Sequence, residues 1–556
     1  KPAWVEDPYV FRVKKWIRAA GRKRDHERVV MYLRKFQDGR TLKGKSVAVH
    51  VYNAALKALD ECHRWQLALT VFREMQAAGV AADRNSYFFT ISACSRRGEA
   101  RTALQLLSEM TAAHARLEAP APDLLLYGVA VKACAHGRAW RQALRLVEDM
   151  SAVGVKPNIV VLNTALSACA KCGQTTRATD LLRDMEEMHG VTPDAVSYNC
   201  VINAYERTGE WREALALYRT MEKVKGVSPT VCTFNSVIGA CKTAKRPTEA
   251  LAVLSLMRRR GLKPDVISFN SAISACARKG VWKTALQLLE TMPGEGVQPN
   301  LTTYNAALDA CAKSGQWEMA LSLFKELSNS SDTSLVPDLY TYNTVMTVYS
   351  RSGMLARALE LLEEMKALEL RPDVVTYSTV IRACERALPP QPDVALRLLS
   401  HMETAGVKPN NTTFVSVLLS LGRAGRCLEC LEVLKGMSAR GTPPDAVSCQ
   451  TVLRVLDRWD RPKEAFRLFK RMQDKGLATR PEVAEEAYCC GIRALERLGR
   501  WSSAVSLLEE WRKTDAAIRG ATADPGKDAK YDQWYRALNL LAMGGSPGEF
   551  DPKTAR

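Results

Sequence analysis

The chain has 556 residues, of which 47% are hydrophobic and 25% charged, an ordinary balance for a soluble protein. It carries 79 Lys and Arg against 60 Asp and Glu, a formal net charge of +19 that favours a polyanionic partner. No apolar run approaches the ~18 residues a membrane-spanning helix needs, so no membrane insertion is expected, and 556 residues exceed what one compact core holds.

Residues 1–48 form a first region, with 14 Lys and Arg against 5 Asp and Glu. Within it, KKWIRAAGRKRDHERVVMYLRKF has the apolar spacing of a helical hairpin starting near Val10, expected to cap the N-terminal apolar face of the next region. Its charge reads either as a solvated arm or as a phosphate-contacting surface. The chain begins at Lys1, so any targeting peptide is expected to have been removed or omitted.

From residue 49 to 519 one pattern recurs about every 35 residues, in about 13 copies. They start at Val49, Arg84, Leu124, Ile159, Ala195, Val231, Val266, Leu301, Leu339, Val374, Asn411, Ala446 and Glu485. The copy at 195–230 is typical. Apolar residues at helical spacing run to Ala204, Gly209 breaks them, and a second stripe runs from Trp211 to Met221. One such helix pair cannot bury both apolar faces, so the copies are expected to stack as an all-α solenoid. Insertions lengthen the copies around 114–121 and 387–391. In the last region, 520–556, residues 531–543 have helical spacing and are expected to cap the array, and the rest is expected to be disordered.

Columns within the repeat separate packing from chemistry. Cys94, Cys134, Cys169, Cys241, Cys276, Cys311 and Cys384 all stand at position 11, where cysteine serves as a small buried hydrophobe; a reducing compartment is expected. Trp65, Trp140, Trp211, Trp282, Trp317 and Trp501 stand at position 17, at the start of the second helix, and are read as inter-helix packing rather than base stacking. Position 5 is Asn in seven of thirteen copies: Asn53, Asn163, Asn199, Asn235, Asn270, Asn305 and Asn343. Asn is a mediocre helix former, so propensity does not explain the column, and its amide can both donate to and accept from a base edge. The last position holds Asp83, Asp194, Thr230, Asp265, Asn300, Asp338, Asp373 and Asn410. Asp or Asn just before a helix is a favoured N-cap, and capping is compatible with a second role.

His401 and Glu403 with Cys427 and Cys430 imitate the H-x-E…C-x-x-C signature of zinc deaminases. Register argues against it: Met402 occupies the methionine slot, the two cysteines occupy the Trp and Ala slots, and Arg426 replaces the proline. With no Gly-rich phosphate loop and no terminal cluster of metal-binding aspartates, no enzyme activity, metal or cofactor is expected.

The unit VxSYNxxIxAYxRxGxWxxALxLyxxM…KPD resembles the pentatricopeptide repeat family in its plain 35-residue form, over residues 49–519 and weakly over 10–48. The resemblance implies a right-handed α-superhelix binding single-stranded RNA, one base per repeat. It implies further that the fifth and last residues jointly choose the base. Asn53/Asp83, Asn163/Asp194, Asn235/Asp265, Asn305/Asp338 and Asn343/Asp373 would take uridine, Asn270/Asn300 a pyrimidine, Ser378/Asn410 adenosine, and Asn199/Thr230 departs from the pattern but leans to pyrimidine. The aliphatic residue two, including Val160, Val196, Ile267 and Val375, would sandwich the base. The implied ligand is U-rich, about UnnUyUyUUA. Pairs such as Phe88/Asp123, Gly128/Asn158 and Val415/Asp445 give no base. The family further implies an organellar setting, with chloroplast slightly favoured over mitochondrion, and a role in RNA stability, processing or translation, the chain being a monomer outside any complex. A structural subunit of an organellar ribonucleoprotein such as a ribosome, or a protein-binding scaffold, are the alternatives.

Overall fold

The structure, a computed structural model, describes residues 8–38, 45–116, 120–329, 332 and 335–519. The described residues form 28 helices and no strand. Among them no helix is long and apolar enough to cross a membrane. The helix expected over 531–543 lies outside the described residues.

The chain divides into two units, Lys1–Pro299 and Asn300–Arg556. In each, antiparallel helix pairs stack in chain order, every first helix packing on its own second helix and on the first helix of the next pair. Each unit is therefore an α-solenoid of stacked helix pairs. First helices begin at Arg84, Leu124, Ile159, Ala195, Val231, Val266, Leu301, Leu339, Val374, Asn411 and Ala446, the positions read from the sequence. Two starts differ. The helix Lys45–Glu61 begins four residues before Val49, and Ala484–Arg497 one before Glu485. Ala48 and Val483 stand where other repeats place a capping side chain, so nothing local fixes those starts.

The repeat at Ala195–Thr208 shows how residue type sets the packing. Ser197, Tyr198, Val201, Ile202, Ala204 and Tyr205 are buried in the first helix, and Ala214, Tyr218 and Met221 in the second. The turn between them is set at position 15, which takes a left-handed conformation in every repeat except the one at Val374, where an insertion places Leu388 there. It is glycine at Gly98, Gly209 and Gly353 (φ 76°, 79° and 74°) but Arg138, Lys245 and Asp460 elsewhere (φ 55°, 56° and 52°). The position-11 cysteines are buried, and burial pushes Cys241 and Cys384 up to about 12. The tryptophan column is less enclosed than the sequence suggested. Trp140, Trp211 and Trp282 are half-buried under the cations of Arg141, Arg212 and Lys283, 5.1, 5.2 and 5.6 Å from the ring centroids, and Trp317 is exposed.

Candidate nucleic-acid interface

Each last-column Asp or Asn caps the first helix of the following repeat. Asp83, Asp194 and Asp373 each accept from the backbone N–H three residues on, at 2.8 Å. The Ser or Thr that supplies this N–H also returns its hydroxyl to the cap, forming a reciprocal box. Asn300 does the same with Thr303, at 3.0 Å.

The position-5 asparagines join this box from the preceding repeat. Asn53 Nδ2 donates to Asp83 at 2.9 Å, and Ser86 Oγ donates back to Asn53 Oδ1 at 2.7 Å. The same closed ring links Asn163, Asp194 and Ser197, and likewise Asn235, Asp265 and Ser268. In the second unit it links Asn305, Asp338 and Thr341, and then Asn343, Asp373 and Thr376. The five pairs read as uridine-selecting from the sequence are thus in direct contact. The third member, a Ser or Thr at position 3, was not singled out by the sequence reading, although its place three residues after an Asp is a capping-box signal.

The ring fixes the orientation of each amide. Oδ1 points inward to the hydroxyl and one N–H goes to the carboxylate, leaving the second N–H outward. In the Asn343 ring the Thr376 N–H and the Asn343 amide go to Oδ1 of Asp373, and the single Thr376 hydroxyl proton is shared between that oxygen at 2.9 Å and Asn343 Oδ1 at 2.7 Å. The other carboxylate oxygen lies beside the amide, and in the Asn53 and Asn235 rings it also accepts from it, at 3.0 and 3.2 Å. These bonds have an electrostatic consequence at Asp194 and Asp373. Burial alone would raise their carboxyls, but the hydrogen bonds from Ser197 and Asn163, and from Thr376 and Asn343, outweigh it and hold them below the usual range.

Other positions depart from this arrangement. Thr230 has no carboxylate; its hydroxyl sits 3.3 Å from that of Thr233, and Asn199 Oδ1 is buried without a partner. Ser378 meets the Thr413 hydroxyl at 2.8 Å while Asn410 caps Thr413. Asn270 lies in Val266–Lys279 of the first unit and Asn300 opens the second. Gln450 and Arg454 both bind Glu486, so that repeat's position 5 is engaged within the protein.

Residue two faces solvent. Val160, Val196, Ile267 and Val375 are 54–65% exposed, and so are Leu125 and Tyr340. An apolar side chain left in water at the same place in successive repeats marks a contact surface. Tyr340, the aromatic member of this column, was not singled out by the sequence reading.

In the second unit these columns converge on a cleft of about 640 Å³. Its walls include Tyr340 and Val375 at position 2, Asn343 with Asp338 and Asp373, and the cations Lys313 and Arg351 at position 13. Positions 5, 9 and 13 recur on one helical face, so the cations follow the asparagines along it. Arg351 Nη1 also donates to Ala312 O of the preceding first helix at 2.7 Å, and Arg423 and Arg497 make the equivalent bond to Glu385 O and Asp457 O. Each of these arginines thus complements a helix C-terminus; Arg423 also pairs with Glu385, Arg497 with Asp457 and Asp460, and Lys313 with Asp309.

The deaminase-like residues do not form a metal centre. Cys427 and Cys430 are buried in Cys427–Ala439, burial pushes Cys430 up to about 12, and Met402 is buried. Among the described residues no group of three or more His, Cys, Asp or Glu could hold a metal ion.

Several family profiles match the chain. The pentacotripeptide-repeat region of PRORP covers residues 302–485, the PPR repeat family 193–243, the pentatricopeptide repeat domain 145–207 and 252–314, and the PPR repeat 91–113 and 232–262. A chloroplastic pentatricopeptide repeat-containing protein of Arabidopsis thaliana is 28% identical over 123 residues, 22% of this chain and 23% of its own length. The chloroplastic PPR5 homolog of Oryza sativa subsp. japonica is 33% identical over 129 residues, 22% of this chain and 25% of its own. The chain therefore spans about a quarter of these relatives' length. The crystal structure of the pentatricopeptide repeat protein PPR10 from maize shares the fold, with a TM-score of 0.50 and 23% identity over 92% of this chain and 90% of that one.

Proposed function

We propose that this chain, which belongs to the pentatricopeptide repeat family, binds single-stranded RNA in an organelle and selects bases with its Asn/Asp rings. The observation that carries the reading is the cleft where Asn343, Asp373, Tyr340, Val375 and Arg351 meet. A base inserted between the exposed position-2 side chains turns its edge to the ring. The outward Asn N–H and the second carboxylate oxygen of Asp present a donor beside an acceptor. Uracil offers the complement, an O4 acceptor beside the N3–H donor, and cytosine offers the reverse. The cations at position 13 neutralise the backbone phosphates, which supplies sequence-independent affinity.

Asn53, Asn163, Asn235, Asn305 and Asn343 with their aspartates select uridine, Asn199 and Asn270 take pyrimidines, and Ser378 with Asn410 takes adenosine. Read 5′ to 3′ from the N-terminal side, the ligand is UnnUyUyUUA. Coating such a segment shields it from exonucleases and holds it single-stranded, which acts on stability, processing or translation. The names of the relatives support an organellar setting.

The test is a titration with the labelled ten-mer UAAUUUCUUA against the same oligomer with every uridine replaced by guanosine. A preference of about tenfold or more, ~1.4 kcal/mol, is expected; equal binding would refute base selection. A second reading, a structural subunit of a ribonucleoprotein, is favoured by the C-terminal repeats, where Glu486 already occupies Gln450 and Arg454. It predicts co-sedimentation with a large particle that the ten-mer does not displace.

A further inference from the structure

The hairpin Pro8–Arg22 and His26–Asp38 lies where the sequence resembles the repeat only weakly, and its backbone places it in register with the thirteen that follow. Arg24 takes φ 56°, and the bonds Arg24 N to Gly21 O and Asp25 N to Ala20 O close its turn. The next hairpin turns identically, with His63 at φ 58° and bonds from His63 N to Asp60 O and from Arg64 N to Leu59 O. An offset of 39 residues therefore superposes the two turns. It also superposes buried Val13, Ile17 and Ala20 on buried Tyr52, Leu56 and Leu59. The helix Pro8–Arg22 packs on Lys45–Glu61 as first helices do elsewhere. At Gly21 the approach is so close that a Cβ would lie 2.7 Å from Ala58 Cβ.

This register assigns each remaining side chain to a functional column. Phe11 falls at position 2 and is 58% exposed, facing the column where His50 is also exposed. Lys14 falls at position 5, Arg18 at position 9 and Arg22 at position 13, a single stripe at four-residue spacing. Ala48 stands where the rings have Asp, so no donor–acceptor pair can form. An ammonium donates only and does not discriminate base edges, whereas an aromatic face stacks on any base.

Resting on the RNA-binding reading above, we propose that this hairpin is a further nucleotide site. It takes one nucleotide 5′ of the Asn53 nucleotide, whatever its base. The base stacks on Phe11, and Lys14, Arg18 and Arg22 meet the phosphates. The repeats read a sequence, and this hairpin holds the strand leading into it.

The experiment compares the full chain's affinity for UAAUUUCUUA with that for four eleven-mers extended at the 5′ end by A, C, G or U. Each extension is expected to tighten binding several-fold and by similar factors. Phe11→Ala should abolish the gain and leave ten-mer affinity unchanged; Phe11 is exposed, so the fold should be retained, which circular dichroism checks. Arg18→Gln combined with Arg22→Gln should lower the slope of log affinity against log salt by about 1.4 for the eleven-mers. No gain on extension, a gain for one base alone, or a gain that survives Phe11→Ala would overturn the proposal. Failure to bind the ten-mer selectively would instead overturn base selection by the rings, a separate outcome.

Discussion

Asn343→Ala tests the ring as strut and as reader in one protein. The substitution removes the amide's bond to Asp373 at 3.3 Å and the Thr376 hydroxyl's bond to Oδ1 at 2.7 Å. Asp373 keeps its bonds to the Thr376 N–H and hydroxyl, so no buried polar group is orphaned and the helix cap survives. The first lost bond is charge-assisted but long and part-exposed, and the second is a neutral hydrogen bond. Together they amount to about 1–2 kcal/mol between neighbouring repeats. Hydrogen exchange should show faster opening of Leu339–Ser352 and Val374–Arg386, with distant repeats unchanged, because solenoid repeats couple to their neighbours. For RNA, the variant should lose discrimination of uridine from cytidine at the ninth nucleotide, about 1–3 kcal/mol for a bidentate contact. Thr376→Val separates the two roles, since it removes the hydroxyl that orients the amide and leaves the amide in place. It should reduce discrimination partially. Unchanged exchange in Asn343→Ala would refute the strut; unchanged discrimination at the ninth nucleotide would refute the reader.

Tyr340→Ala should weaken binding of the ten-mer by about 1–3 kcal/mol through lost stacking, with little change in stability because the ring is half in solvent. Folding stability, followed by urea titration at several pH values, should fall in acid. The carboxyls of Asp194, Asp373 and Asp445 are held below their ordinary value, so their contribution is complete above about pH 4 and is lost as pH drops through the lowered folded values. Asp194→Asn keeps a cap and should remove its share of that dependence. Alkylation at pH 8 should reach exposed Cys232 while Cys241 and Cys384, pushed to about 12 by burial, react only on unfolding.

The repeat register was legible because turn, cap and apolar stripe recur together every 35 residues, and eleven helix starts follow from it. The starts at Lys45 and Ala484 were not, because both lack a capping side chain and only tertiary packing decides where those helices begin. The Asn column was visible as a residue type out of place in a helix, and the Asp column as a recurring N-cap. Their closure through Ser86, Ser197 or Thr341 was not, since it joins residues more than 30 apart in sequence and needs the stacking geometry. Arg351 and Arg423 look in sequence like solvated helix ends, and only the structure shows them reaching the preceding helix. The tryptophans were judged by their place at the start of the second helix, which overestimated their burial. Phe11 was not singled out because the repeat pattern over 10–48 is weak and lacks the Asn and Asp columns, whereas the turn at Arg24 fixes its register.

The two columns of the ring carry different information. Asp123, Asn158 and Asp445 cap their helices at 2.8–3.0 Å although Phe88, Gly128 and Val415 precede them in the fifth column. Capping therefore suffices to maintain the last column, and an acid there does not by itself mark a reading repeat. In the proposed reading, what marks one is the asparagine amide held by both the cap and the hydroxyl. The Asn199 repeat has the amide and the hydroxyl of Thr233 but lacks the carboxylate, and its Oδ1 is buried without a partner. With its Oδ1 unheld, the amide is not locked as it is in the rings, in keeping with the proposal that this slot accepts both pyrimidines. Thr230→Asp should close the ring, stabilise the pair of repeats by about 1–2 kcal/mol, and convert the fifth nucleotide from either pyrimidine to uridine. Competition between ten-mers carrying U or C at that place measures the conversion. If the variant is more stable but still accepts both, the carboxylate is a strut alone, and the uridine selectivity assigned to the other five rings would need another source.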